Sequence, residues 1–173
     1  MKIYVLFFIL YSFAQSTYAK TQLIIDERGK AQITSSNDWK YEKNILGLPH
    51  VLISSEQINS TLSITLTGLK DVSLPSSELN KNQKQYQDGR KAWAASRNAE
   101  IEEFIPYQKL QIPSKAMVHT IGFKYRLNGN KYYEKSYYAE CPGSLVHFKL
   151  VTLQGSKRIN EADEIVKSLK CDF

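Results

Sequence analysis

The chain is short of the residues that build reactive centres. Its 173 residues hold two cysteines, three histidines, two methionines and two tryptophans. Two cysteines alone fall below the ligand count of a structural zinc site. The histidines, His50, His119 and His147, show none of the close HxH or HxxxH spacings that bring two imidazoles to one metal. No G-x-S-x-G elbow occurs, which removes the usual strand-to-helix serine nucleophile. No glycine-rich phosphate loop is present, and no internal repeat or low-complexity tract. Nothing in the residues calls for a metal or a cofactor, and none is expected.

Long apolar runs are scarce as well. One exists, Ile3 to Phe13, interrupted only by Ser12. Lys2 gives it a positive start, and Thr17-Tyr18-Ala19 ends it in small residues at the positions a signal peptidase reads. Residues 1–19 are therefore expected to be a secretory signal peptide cut after Ala19. The run is about half of the ~20 residues that span a bilayer, so a transmembrane anchor is disfavoured. A lipoprotein would carry a cysteine just after the run, and none is there. The expected product, 20–173, is one domain without a membrane anchor, located in the periplasm or secreted. Loss of Lys2 takes one charge from the net +6 of the whole chain. The basic residues that remain are dispersed and form no stripe, which argues against nucleic acid as a partner.

Export gives the two cysteines a meaning. In an oxidising compartment Cys141 and Cys171 are most simply one disulfide, with two free thiols or a metal role as alternatives. Cys141 precedes the turn dipeptide Pro142-Gly143, and Cys171 follows a predicted helix, so the bond would hold a tail that otherwise frays. Asn59-Ser60-Thr61 is a formal glycosylation sequon, relevant only in a eukaryotic pathway.

Periodicity supplies the elements. Leu23–Ile25 and Ala31–Thr34 flank Glu27-Arg28-Gly29-Lys30 as a hairpin. Trp39–Lys43, His50–Ser54 and Ser60–Leu69 read as strands; in the last, Leu62, Ile64 and Leu66 alternate with Ser63, Thr65 and Thr67. From Ser76 to about Arg97 the chain is polar, with Leu79, Tyr86 and Trp93 spaced by seven, which predicts a helix with a narrow apolar stripe capped by Ser76 or Ser77. Gly89 weakens its middle. Glu100–Ile112 returns to strand, with Pro106 marking an edge or a bulge. Met117–Arg126 and Lys131–Glu140 alternate on either side of Asn128-Gly129, a two-residue hairpin turn. Leu145–Leu153 follows as a third strand. Asn160 is expected to cap a last helix, with Asp163 as its capping-box acid and Ala162, Ile165, Val166 and Leu169 as its apolar face. Short turns imply antiparallel pairing. The expected fold is α+β: a meander sheet with a long central helix and a C-terminal helix packed on it.

In this order the chain resembles the α/β/α sandwich of the PsbP family and its periplasmic relatives of the DcrB type. The resemblance is carried by Asp38-Trp39-Lys40-Tyr41 as an "xxW" strand, by the central helix, and by Arg126-Leu-Asn-Gly-Asn-Lys-Tyr-Tyr133 as a glycine turn answered by a tyrosine-rich strand. Leu145–Leu153 and Asn160–Lys170 complete it. The metal-binding residues of photosynthetic members have no match here. The resemblance implies a non-enzymatic protein that assists a larger assembly or binds a protein partner in the envelope, including a toxin that it neutralises.

Candidate functional residues cluster on the strand 131–140. Tyr132 and Tyr138 share one strand face, Tyr133 and Tyr137 the other. One pair is expected to be buried and the other exposed beside Lys131 and Lys135, forming a recognition surface, unless helices cover both faces. Two other functions stay open. A hydrolase would need His119 and His147, on neighbouring strands, to meet near Glu134 or Glu140. An apolar-ligand carrier would need an open pocket between sheet and helix. Glu100, Glu102 and Glu103 are expected to be a solvated strand end.

Overall fold

The computed structural model describes residues 19–45, 47–55, 60–68 and 76–171. Residues 1–18 of the expected signal peptide 1–19, the sequon residue Asn59 and Leu69, the last residue of the expected fifth strand, lie outside the described residues, as do the side chains of Ser76 and Ser77.

Nine strands and two α-helices follow one another: β1 (Lys20–Asp26), β2 (Gly29–Ser35), β3 (Trp39–Ile45), β4 (Leu48–Ser54), β5 (Thr61–Gly68), α1 (Gln83–Ser96), β6 (Glu100–Gln111), β7 (Met117–Leu127), β8 (Asn130–Cys141), β9 (Ser144–Leu153) and α2 (Arg158–Lys167). β1 and β2 form a separate hairpin. The other seven strands make one antiparallel sheet in the order β3-β4-β5-β9-β8-β7-β6. From β5 the chain crosses by α1 to the far edge, then folds back through β6, β7 and β8 until β9 pairs with β5. The hairpin turn at Asn128-Gly129 has φ of 51° and 79°, the left-handed pair that matches the twist of two adjacent strands. At Pro106 the register of β6 against β7 slips, between Ile105 and Gln108, so the proline sits in a bulge on an edge strand.

Side-chain alternation splits the sheet into two unlike faces. Leu62, Ile64 and Leu66 of β5, Val146, Phe148 and Leu150 of β9, and Tyr137 and Ala139 of β8 point to one side. There they meet Ile24, Ala31 and Ile33 of the hairpin and Ala162, Ile165 and Val166 of α2 in the main core. The opposite side carries α1, whose Trp93 packs edge-on against Phe123 and Tyr125 of β7.

Two helix boundaries differ from the sequence reading. The central helix is broken into a 3-10 turn (Ser76–Leu79) and α1, which starts at Gln83 with no side-chain cap. α2 starts at Arg158, so Asn160 lies inside the first turn and caps nothing. The Ser156 hydroxyl accepts from the Arg158 N–H instead (3.1 Å). The helix begins early because the Arg158 side chain, 1% exposed, is drawn over the Trp39 ring (5.6 Å) and onto Asp38 and Glu161. Asp163, expected as a capping acid, turns to β8.

Cys141 at the end of β8 and Cys171 after α2 are joined by a disulfide, S–S 2.00 Å and Cα–Cα 5.5 Å. Beside it, Lys170 exchanges two backbone hydrogen bonds with Gln32 of β2 (3.0 and 2.8 Å).

Candidate functional site

β8 runs through the middle of the meander, and its alternation sends the tyrosines both ways as expected, but the environments differ from a simple buried pair and exposed pair. Toward α2, Tyr137 is buried and its hydroxyl donates to Asp163 Oδ1 at 2.6 Å. Lys135 donates to the same oxygen at 2.9 Å and lies 4.7 Å over the Tyr137 ring. Burial and the adjacent carboxylate push the Tyr137 hydroxyl far above its ordinary value. Lys135 and Tyr137 therefore do not form an open recognition surface. Asp163 compensates the lysine charge and satisfies the phenol, which lets both sit against the core. Tyr133 on the same side is half-buried, with its pKa raised to about 12 by burial first and then by Asp163.

On the α1 side, Tyr132 stacks on Tyr125 (5.2 Å between centroids), which continues the row begun by Trp93. Lys131 is exposed. Around these two residues the strand ends form a paired polar patch. Arg126 reaches Glu102 (2.8 Å) and Glu100 (3.6 Å), Gln154 donates to Glu102 (2.7 Å), and Lys124 holds Glu103 (2.6 Å). The bunched acids of β6 thus face cations of β7. Of the residues expected on a recognition surface, this patch keeps Lys131 and Tyr132.

A second polar layer lies between α1 and the sheet. Glu134 is 3% exposed, with Lys149 at 3.2 Å and Arg90 at 3.5 Å. Arg90 also covers the Tyr86 and Phe123 rings (5.2 and 5.6 Å). Tyr138 lies flat on His147, 4.4 Å and 1° apart. Burial, then Lys149 and Arg90, lower His147 to about 4. Among the described residues, the buried atoms Tyr86 Oη, Glu134 Oε1 and His147 Nε2 lack a hydrogen bond of normal geometry, although Arg90 lies beside the first two. Three such atoms in one layer have the polarity that internal water satisfies. Sequence reasoning missed the Arg90–Glu134 contact. Its trace is the i, i+4, i+7 spacing of Tyr86, Arg90 and Trp93, visible only if a cation is allowed on the buried stripe.

The histidines do not converge. His119 and His147 share a face, but β8 separates their strands, and the register reads His119, Tyr138, His147 across it. Strands two apart lie about 10 Å from each other, beyond the reach of one reacting atom. The expectation of neighbouring strands fails because β9 pairs with β8 and β5, leaving no edge for β7. His119 Nδ1 bonds the Tyr107 hydroxyl (2.8 Å), with Glu140 at 3.3 Å from Nε2. His50 repeats the arrangement on the other face with Tyr41 (2.8 Å) and Asp26 (3.9 Å). Burial lowers both imidazoles. Among the described residues no group of three His, Cys, Asp or Glu is placed to hold a metal ion, and no helix is long and apolar enough to cross a membrane. Cavities of about 720, 540 and 390 Å³ open around the β1–β2 turn and along α2, whereas aromatic rings and charges fill the contact under α1.

Solved structures give the shape a context. A cyanobacterial PsbP from Synechocystis matches 94% of this chain and 99% of its own, with a TM-score of 0.58 and 16% identity. The fold is PsbP-like. LpqN of Mycobacterium tuberculosis, a protein involved in cell envelope biogenesis, matches 88% of this chain and 91% of its own at a TM-score of 0.57 and 13% identity. Identities this low establish the PsbP-like fold and nothing about activity. No family model matches the sequence, and no curated protein does.

Proposed function

We propose that this PsbP-like protein is exported to the bacterial cell envelope and works there without catalysis, as an accessory factor that binds another protein. The observation that carries the reading is the Cys141–Cys171 disulfide, a bond that persists in oxidising compartments. The N-terminal apolar run points to the same address. The PsbP-like fold, shared with an envelope-biogenesis protein, agrees with it. Each histidine is committed to a tyrosine, by a hydrogen bond or by stacking, which favours a structural use over a catalytic one. We put the contact at the β7–β8 hairpin end, a choice supported by exposed Lys131 next to Tyr132, which stacks on Tyr125. Tyr132 is the partly exposed ring of that stack, held rigid on the buried Tyr125, and a rigid tyrosine is a residue type enriched in protein-binding patches.

Two measurements on protein from its own cells test this. Intact mass should match a chain that starts at Lys20 and lacks two hydrogens. A photo-reactive residue at position 131 should yield a discrete adduct with a different protein. An uncut chain with free thiols overturns the compartment. A correctly processed chain that gives no adduct from position 131 or 130 overturns the binding site.

A further inference from the structure

Among the described residues, β1 is an edge strand without proline, bulge, central charge or a covering backbone. Its seven residues contain no proline, and their pairing with β2 runs from Lys20↔Ser35 to Asp26↔Gly29 without a bulge. β2 has its outer edge occupied by the backbone of Lys170. Among the described residues, the outer edge of β1 has no backbone partner. Natural edges of this length are blunted by central charge, proline or irregularity, because a row of free N–H and C=O groups accepts another strand. Here Ile24 points into the core, while Leu23 and Ile25 point out, 48% and 52% exposed. They are the exposed large apolar side chains of the described residues. The two charges of β1 stand at its opposite ends, Lys20 and Asp26.

We infer that the occupant of this edge is β1 of a second copy, paired antiparallel about a two-fold axis through Leu23. In that register Leu23 faces the partner's Leu23, and Gln22 faces the partner's Ile24. Thr21 faces the partner's Ile25, and Lys20 faces the partner's Asp26. An antiparallel pair keeps opposed residues on one side of the ribbon, so each chain's Ile24 stays turned to its own core. Leu23 and Ile25 of both chains join in one apolar strip. The end charges become two identical cross-strand Lys–Asp pairs, with each Asp26 keeping the Arg28 N–H on its Oδ1 (2.7 Å) and His50 3.9 Å from its Oδ2. A two-fold contact of this kind is self-complementary and closes at the dimer. The charge arrangement is the specific argument for a second copy. A foreign strand has no reason to present an acid at one end and a base at the other in this spacing.

Sedimentation velocity over a wide concentration range, on protein expressed from the full coding sequence, should show reversible dimerisation. Leu23→Glu places two carboxylates face to face on the axis and should leave only monomer, with unchanged far-ultraviolet circular dichroism. Lys20→Asp should weaken the dimer about tenfold, the effect of losing two opposed pairs. The exchange Lys20→Asp/Asp26→Lys should restore it. Leu23→Cys, which leaves the end charges intact, should give a disulfide-linked homodimer on mild oxidation, and Thr21→Cys should not. A native chain that stays monomeric at every concentration overturns the inference and leaves the edge to a different protein. A dimer that survives Leu23→Glu, or equal cross-linking from positions 21 and 23, places the contact elsewhere and overturns it too.

Discussion

A histidine pressed flat on Tyr138, with Lys149 and Arg90 nearby, resists protonation in the folded chain. Its folded value is about 4, against about 6.5 when solvated. As pH falls below about 6.5 the unfolded chain takes up the proton first, and the folded chain follows only near 4. Neutral His147 therefore contributes stability that is complete above about 6.5 and is lost as pH falls toward 4. The amount is about 3 kcal/mol, as an order of magnitude. His50 and His119 are lowered as well, so they act in the same direction. Urea unfolding measured from pH 7 to pH 4 should show this decline, and His147→Phe, which keeps a ring on Tyr138, should flatten it. A slope unchanged by the substitution would mean that His147 is solvated in the folded chain.

The junction of β3 with α2 rests on a charged side chain. Arg158 is held by Asp38 (3.3 Å) and Glu161 over the Trp39 ring, and the Trp39 indole N–H donates to Glu161 (3.0 Å). Removing Arg158 leaves Glu161 without its cation beside the indole, while Asp38 keeps Lys157 at 3.6 Å. Arg158→Ala should cost about 3–5 kcal/mol in chemical denaturation. Arg158→Met/Glu161→Gln should cost less than Arg158→Met alone, because no carboxylate is then stranded beside the indole. This junction also shows what could be read in advance. The strand that starts at Trp39 is legible from its alternation, and the paired strands around Asn128-Gly129 follow from period and turn chemistry. The start of α2 was not legible, because periodicity counts apolar residues and the side chain that sets the start is an arginine. The same limit hid Lys135 and Tyr137. Their burial depends on Asp163, which lies on another element and reaches β8 only once the chain has folded. The histidine geometry depended on strand order. Local sequence gives β7, β8 and β9 as a meander but does not show that β9 also closes on β5.

At the scale of the molecule, the sheet has one apolar face and one that mixes aromatic rings with charged groups, and the disulfide secures the apolar one. Cys141 and Cys171 are 30 positions apart. In the chain-entropy picture such a loop is worth about 3–4 kcal/mol. Cys141→Ser/Cys171→Ser, or reduction of the native chain, should lower the unfolding free energy by roughly that amount, read from urea titrations with and without reductant. No shift on reduction would mean that the tail is held by packing and by the Lys170–Gln32 bridge alone. That bridge has a further consequence in time. The hairpin β1–β2 is synthesised before every other described element, yet its β2 edge is closed by Lys170 and its Thr34 N–H by the Ser168 hydroxyl. The opening residues must wait, with Ile24 and Ile33 uncovered, until the final turn of the chain arrives. Nascent chains halted a few residues short of Cys171 should remain open to protease at the hairpin, and completion of the tail should protect both ends in a single step.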